Sequence, residues 1–300
     1  MKRRIGILPL LLLLLLAAAA LTLPAMAAEK VKILILDGQN NHNWRETTPV
    51  LKAILEKSGR FDVAVSTAPG ANSPKEAWAA WRPVFKDFAA VLSNYNGEDW
   101  PQEVKRAFVE YVRNGGGFVA LHAADNSFPG WREYNEMIGV GGWGGRDEKS
   151  GPRLHWQEGR IVRDATPGAG GHHGQAHEYL VEIRLPQHVI VKGLPSRWLH
   201  AVDELYDSLR GPAQNVAVLA TAYSAPEKGG TGRHEPLLMA IGYGRGRVFH
   251  DAMGHDARSL QDTGFQVTLA RGCEWAATGT VTLPAPAPEE MPADHVGLAK

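Results

Sequence analysis

Two hydrophobic periods divide this chain. Val31-Lys32-Ile33-Leu34-Ile35-Leu36, Phe61-Asp62-Val63-Ala64-Val65-Ser66 and Phe88-Ala89-Ala90-Val91-Leu92-Ser93 are short apolar or alternating runs that predict strands, and Phe118-Val119-Ala120-Leu121 suits a strand buried on both faces. Between them apolar residues recur at helical spacing: Val50, Leu51, Ile54 and Leu55, then Val104, Ala107, Phe108, Tyr111 and Val112. Thr48 is expected to cap the first helix with Pro49 at its first position, and Asp99 with Gln102 to form a capping box on the second. Gly59 closes the first helix, and Asn114-Gly115-Gly116-Gly117 turns the second sharply into the strand that ends at His122. Strands alternating with helices predict an α/β fold with a parallel sheet and right-handed crossovers. Ligands of such sheets bind beyond the carboxyl ends of the strands, which singles out the polar loops Asp37 to Trp44, Asn94 to Gly97 and His122 to Asp125.

The second half reads differently. Trp131 to Ile138 predicts a short helix, and the glycine-rich stretch that follows, through about Gly174, predicts a long excursion over the carboxyl edge of the sheet. His177 to Leu185, Glu204 to Leu209 and Asn215 to Tyr223 predict strands, with Pro186 to Trp198 as a turn-rich connection. Pro236 to Tyr243 and Gly246 to His250 predict a hairpin around Gly244-Arg245, and Asp262 to Ala277 a closing helix. Residues 28–282 therefore form one domain, and the proline- and alanine-rich tail 283–300 is expected to fray.

Ahead of the domain, Lys2, Arg3 and Arg4 precede an apolar run from Leu8 to Ala20, and Ala25-Met26-Ala27 fits a small-x-small cleavage site. Residues 1–27 thus read as a signal peptide for a periplasmic or secreted protein, without membrane insertion after cleavage. An uncleaved anchor is the rival reading of the same run. The formal net charge is zero, with 32 basic and 32 acidic residues, which argues against nucleic acid or an acidic membrane as partner and favours a small neutral ligand. The single cysteine, Cys273, excludes an internal disulfide and reads as a buried thiol on a helix. No segment follows GxGxxG or GxxxxGK[ST], which removes dinucleotides and the P-loop.

Four groups of residues could carry chemistry. His122 with Asp125 could form an acid–base pair at the strand end, or could satisfy backbone and cap a turn. Asn41, His42 and Trp44, with Asn94 in the analogous loop, offer the amides, imidazole and indole that sugar hydroxyls and an apolar sugar face require. In Asp203-Glu204-Leu205-Tyr206, alternation sends Glu204 and Tyr206 to one side, where Glu204 could oppose His122 or form a structural ion pair with Arg245 or Arg247. His255, next to Asp256 and after the strand that ends near His250, could reach the same edge. A divalent metal on His122, His255 and a carboxylate is conceivable, but no HExxH or comparable ligand spacing is present and no cofactor is expected. His172, His173 and His177 read as a solvent-exposed run.

Taken in order, Gly115-Gly116-Gly117-Phe118-Val119-Ala120-Leu121-His122, Trp131 with Tyr134 and Ile138-Gly139, Val191-Lys192-Gly193-Leu194-Pro195, Asp203-Glu204-Leu205-Tyr206, Gly244-Arg245-Gly246-Arg247-Val248-Phe249, Gly254-His255-Asp256 and Arg271-Gly272-Cys273-Glu274-Trp275-Ala276-Ala277 resemble the ThuA-like (trehalose utilisation) family over roughly Val31 to Gly279. The resemblance implies a flavodoxin-like sheet of the class I glutamine amidotransferase kind, mostly parallel, with helices on both faces. It also implies disaccharide use, particularly of oxidised 3-keto sugars. Amidotransferase relatives keep a cysteine at the sharp turn where His122 stands here, so thiol chemistry is not implied. The family's short connection after Gly142-Trp143 is replaced by an insertion. The expected protein is a carbohydrate hydrolase or isomerase, or a non-catalytic sugar-binding protein on the same scaffold. Its catalytic candidates are His122, Asp125, Glu204 and His255, and its substrate-binding candidates are Asn41, His42, Trp44, Asn94, Trp131 and Tyr206.

Overall fold

The computed structural model describes residues 29–299. The signal peptide expected over residues 1–27 lies outside the described residues. Thirteen strands are present among them: β1 (Val31–Asp37), β2 (Phe61–Thr67), β3 (Ala90–Ser93), β4 (Gly117–Leu121), β5 (Arg153–Gln157), β6 (Arg160–Asp164), β7 (His172–His173), β8 (His177–Ile183), β9 (Arg197–Asp203), β10 (Tyr206–Asp207), β11 (Val216–Ser224), β12 (Arg233–Tyr243) and β13 (Gly246–Asp251). The α-helices are α1 (Trp44–Lys57), α2 (Lys75–Ala80), α3 (Gln102–Arg113), α4 (Arg132–Ile138) and α5 (Thr263–Thr278). None of the described helices is long and apolar enough to cross a membrane.

The main sheet runs β2-β1-β3-β4-β13-β12-β11-β8-β9. Its first five strands are parallel and its last five pair antiparallel, so β13 belongs to both halves. The parallel half has the flavodoxin-like order. Alternate residues feed two cores. Ile33, Ile35, Val119 and Leu121 pack with Leu51 and Ile54 of α1 and Phe265, Leu269 and Cys273 of α5. Leu34, Leu36, Phe118 and Ala120 pack with Val104 and Phe108 of α3 and Tyr134 and Met137 of α4 on the other face. A strand buried on both faces needs this continuous apolar run, and all five residues of β4 are buried. Gly117 is required there, because a Cβ would meet the Ala276 carbonyl of α5 at 2.5 Å. Cys273 is buried, and that burial pushes its thiol up, out of reach of ionisation.

Several local expectations change. Helix α1 begins at Trp44 and takes Pro49 into its interior, because Thr47 and Thr48 turn inward and accept hydrogen bonds from the Asn94 side chain at 3.0 Å. Asp99 pairs with Lys105 instead of capping α3. Residues 197–203, assigned in part to a connection, form β9, whereas the strand expected over Glu204 to Leu209 shrinks to β10. The excursion after Gly139 is not structureless: β5 and β6 form a hairpin that joins the sheet through β12. The tail does not fray. Met291 is buried, Leu199 donates to the Pro292 carbonyl at 2.8 Å, and Ala299 donates to that of Gln261 at 3.0 Å.

Candidate functional site

Four loops meet at one end of the sheet. His42 follows β1, His122 follows β4 and His255 follows β13, so all three imidazoles sit beyond the carboxyl ends of parallel strands. Glu204 follows β9 and comes in from the side. Their ring and carboxylate ligand atoms all lie within 4.8 Å of one another. Ring centroids are 4.8 Å apart for His42 and His122, 4.5 Å for His42 and His255, and 5.8 Å for His122 and His255.

Each group is held from behind. His122 adopts φ +44°, a left-handed conformation rare for a residue with a Cβ, at the turn between β4 and the short 3-10 segment that follows. Its Nδ1 donates to the Ala252 carbonyl at 2.8 Å, which turns Nε2, buried and without a hydrogen-bond partner, toward the Glu204 carboxylate at 3.7 Å. His255 Nδ1 lies 3.1 Å from Glu204 Oε2, out of line for a hydrogen bond. Asp203 ties the two loops together: its carboxylate accepts from the backbone N–H groups of Glu204, Gly254 and His255 and from His200 Nε2. His200 in turn contacts Asp262, the cap of α5, at 2.7 Å.

These contacts set the charges. Burial by itself would raise the Glu204 carboxyl, but the imidazoles of His122 and His255 hold it well below the usual carboxylate range. Glu204 in turn raises His255 above its ordinary value. Burial, reinforced by His122 and His255, lowers His42 to about 4. At neutral pH the centre therefore contains an ionised carboxylate and a neutral His42.

Above the cluster opens a cleft of about 500 Å³, whose walls include Asn41, Asn96, Asn126, Trp143, His173 and Tyr206, with His42 and Glu204 at its base. Tyr206 stacks on His122 with ring centroids 4.0 Å apart, and its hydroxyl lies 3.2 Å from His42 Nε2 and 3.4 Å from Asn126 Nδ2. Asn96 donates to Asn41 Oδ1 at 2.7 Å. The lining contains no lysine or arginine.

Of the residues picked from sequence, His122, Glu204, His255, His42, Asn41 and Tyr206 converge here. Glu204 and Tyr206 face the same cleft although only Tyr206 is on a strand. Asp125 does not pair with His122. The 3-10 turn directs its carboxylate away, into a buried contact with His250 Nε2 at 3.1 Å. Asn94 is buried as the partner of Thr47 and Thr48. Trp131 lies in an aromatic cluster with Trp100, Phe108, Phe128 and Tyr134. Trp44 is outside the cleft lining and carries the Arg45 guanidinium over its ring at 4.3 Å. Sequence reasoning missed Asn96, Asn126, Trp143 and His173. His173, read as part of an exposed run, sits 3.7 Å from Glu204 Oε1, brought there by the pairing of β7 with β10. Only the polar character of the loop after β3 signalled Asn96; His173 had no signal short of that pairing.

A family model described as "ThuA: Trehalose utilisation" matches residues 32–276. The chain is similar to a ThuA-like protein from Parabacteroides merdae of known structure, with 46% identity over 91% of this chain and 98% of that one and a TM-score of 0.86. A ThuA-like protein from Bacteroides uniformis shares 19% identity, covering 86% of this chain and 98% of that one, at a TM-score of 0.56. A cytoplasmic protein from Salmonella typhimurium shares 12% identity, covering 82% and 99%, at a TM-score of 0.51. The last two likenesses concern the fold alone. No curated protein matches the chain.

Proposed function

The chain belongs to the ThuA (trehalose utilisation) family, and from that premise we propose that it is an exported carbohydrate-active enzyme that hydrolyses or isomerises a 3-keto disaccharide or glycoside by proton transfer. The observation that carries this reading is the convergence of Glu204 with three imidazoles under a cleft of amides, a phenol and an indole. The cleft volume is within the range of about 300–1,000 Å³ typical of small-molecule sites. Amide and hydroxyl groups suit sugar hydroxyls, Trp143 suits the apolar face of a sugar ring, and a lining free of lysine and arginine suits an uncharged ligand.

The acid and base are separable. His122 Nε2, the nitrogen left unbonded when Nδ1 donates to Ala252, is the base for a proton α to a keto group. His255, whose hold on its proton Glu204 strengthens, is the acid for a departing glycosidic oxygen. Removal of the α proton to His122 drives the electron pair toward the β carbon, the carbon–oxygen bond breaks, and the released oxygen takes the His255 proton. Addition of water to the resulting unsaturated ketone completes hydrolysis.

Incubation of the purified protein with oxidised and unoxidised disaccharides, with products followed by mass spectrometry, tests the reading. Cleavage or isomerisation confined to the keto forms is the expected result. Tight binding without turnover would replace the enzyme with a sugar-binding protein.

A further inference from the structure

We propose that His42, His122, His255 and Glu204 form a binding site for one divalent transition-metal ion of the zinc class, open toward the cleft. The inference rests on the reading of this cleft as the functional site and deepens it. It changes the part played by the imidazoles, which in the metal-loaded protein hold the ion instead of moving protons.

Geometry carries the argument. Four ligands at tetrahedral angles and bonds of about 2.0–2.1 Å place donor atoms about 3.3 Å from one another. Here His255 Nδ1 and His122 Nε2 lie 3.1 and 3.7 Å from the same Glu204 oxygen, and the full set of four donors spans no more than 4.8 Å. Yet neither of those nitrogens makes a hydrogen bond, although both atoms are buried. His122, only 3% exposed, is the sharper case. A buried lone pair without a donor is costly, and aiming it at a carboxylate adds repulsion unless a proton or a cation lies between them.

The support behind the cluster is of the kind metal ligands use. The second nitrogen of a metal-bound histidine usually donates to a carbonyl or carboxylate, which fixes the tautomer and the ring. His122 Nδ1 does so to Ala252. Asp203 accepts the backbone N–H groups of both Glu204 and His255, which holds the loops of two ligands at a fixed separation.

Donor chemistry selects the ion. Three imidazoles and one carboxylate favour zinc and its first-row neighbours over magnesium or calcium, which prefer oxygen ligands. The spacing signature of zinc enzymes is absent because the ligands come from four loops of the sheet edge instead of one helix. His173 faces the other oxygen of Glu204 at 3.7 Å and stays outside the donor set.

The test is binding of metal alone, with no sugar present. The purified protein is dialysed against chelator, then titrated with Zn²⁺ and with Mg²⁺ in a calorimeter, and with Co²⁺ in the visible range. One Zn²⁺ per chain, a Co²⁺ d–d band displaced by Zn²⁺, and no Mg²⁺ binding at the same concentration are expected. Glu204→Gln and His255→Ala should each weaken Zn²⁺ by more than about tenfold, the low end of what losing even an outer-shell partner of a ligand costs. His295→Ala, a change at an exposed histidine, should leave it unchanged. Absence of stoichiometric Zn²⁺ or Co²⁺ in the wild-type protein overturns the proposal whatever the variants do, as does unaltered affinity in the folded Glu204→Gln, His255→Ala double variant. Metal binding without action on any keto sugar would uphold the site and refute the proposed reaction.

Discussion

His122 Nε2 faces Glu204 Oε2 across 3.7 Å with no hydrogen bond between them, while the opposite side of the same ring is fixed to the Ala252 carbonyl. The ring is thus oriented from behind, with Nε2 aimed at the carboxylate in front. Because His122 sits at φ +44°, glycine is the replacement that removes the imidazole without adding backbone strain. His122→Gly is expected to cut turnover of a keto disaccharide by about 10²–10⁴-fold, the usual weight of one acid–base group. Sugar affinity should change little. Steady-state kinetics beside equilibrium binding checks this, and a variant with normal turnover would remove His122 from the chemistry.

Trp131 provides the opposite case. It is 7% exposed within an aromatic cluster on the α3 and α4 face of the sheet, away from the cleft lining. Trp131→Ala is expected to cost about 3–5 kcal/mol of stability, the range for deleting a buried aromatic side chain. In urea unfolding the midpoint should fall, and ligand affinity of the folded fraction should stay at the wild-type level. Loss of affinity without loss of stability would return Trp131 to the binding site.

Asp125 is expected to matter for stability and not for proton transfer with His122. Its carboxylate meets His250 Nε2 at 3.1 Å, and both groups are fully buried. Asp125→Ala leaves a buried ring nitrogen without a partner and should cost about 1–3 kcal/mol. Asp125→Asn retains a hydrogen-bonding group at that distance and should recover most of the loss. Thermal unfolding of the two variants side by side separates them.

These cases mark how far the residues alone could be read. Periodicity located β1 to β4, the β12–β13 hairpin and α5, because an apolar stripe or run dictates those elements locally. It also placed His42, His122 and His255 at one edge, because position after a parallel strand follows from the element order. Direction is where it stopped. Asp125 lies three residues from His122, yet a single 3-10 turn carries it to the opposite side. Strand alternation pairs Glu204 with Tyr206, and they do share the cleft, but Asp203 holds Glu204 there through loop backbone contacts that no alternation encodes. Trp131 and Asn94 looked like ligand groups by residue type, and long-range packing used both for structure.

The buried His200 between Asp203 and Asp262 makes a pH-dependent stability the last expectation. Both ring nitrogens contact carboxylates, at 2.9 and 2.7 Å, and Tyr179, Asp251, His122 and His255 also act on the cluster. Burial would lower His200, but Asp203 and Asp262 outweigh it and hold the ring up at about 10, against 6.5 for a free histidine. The folded state therefore keeps this proton longer than the unfolded chain. Its contribution is complete below pH 6.5 and is lost as pH rises toward 10. Burial likewise raises Asp251 to about 8 from 3.8, so ionising it weakens the fold between those values, with the same sign. Urea midpoints measured from pH 5 to pH 10 are expected to fall as pH rises. His200→Ala should lower stability at pH 6 by about 3–5 kcal/mol, since it leaves two buried carboxylates unpaired, and should flatten the decline above pH 6.5. Asp251→Asn should flatten the part below pH 8. A wild-type profile that climbs between pH 6.5 and 10, or a His200→Ala variant with the same slope as wild type there, would show that the proton on His200 does not hold β9 to the start of α5.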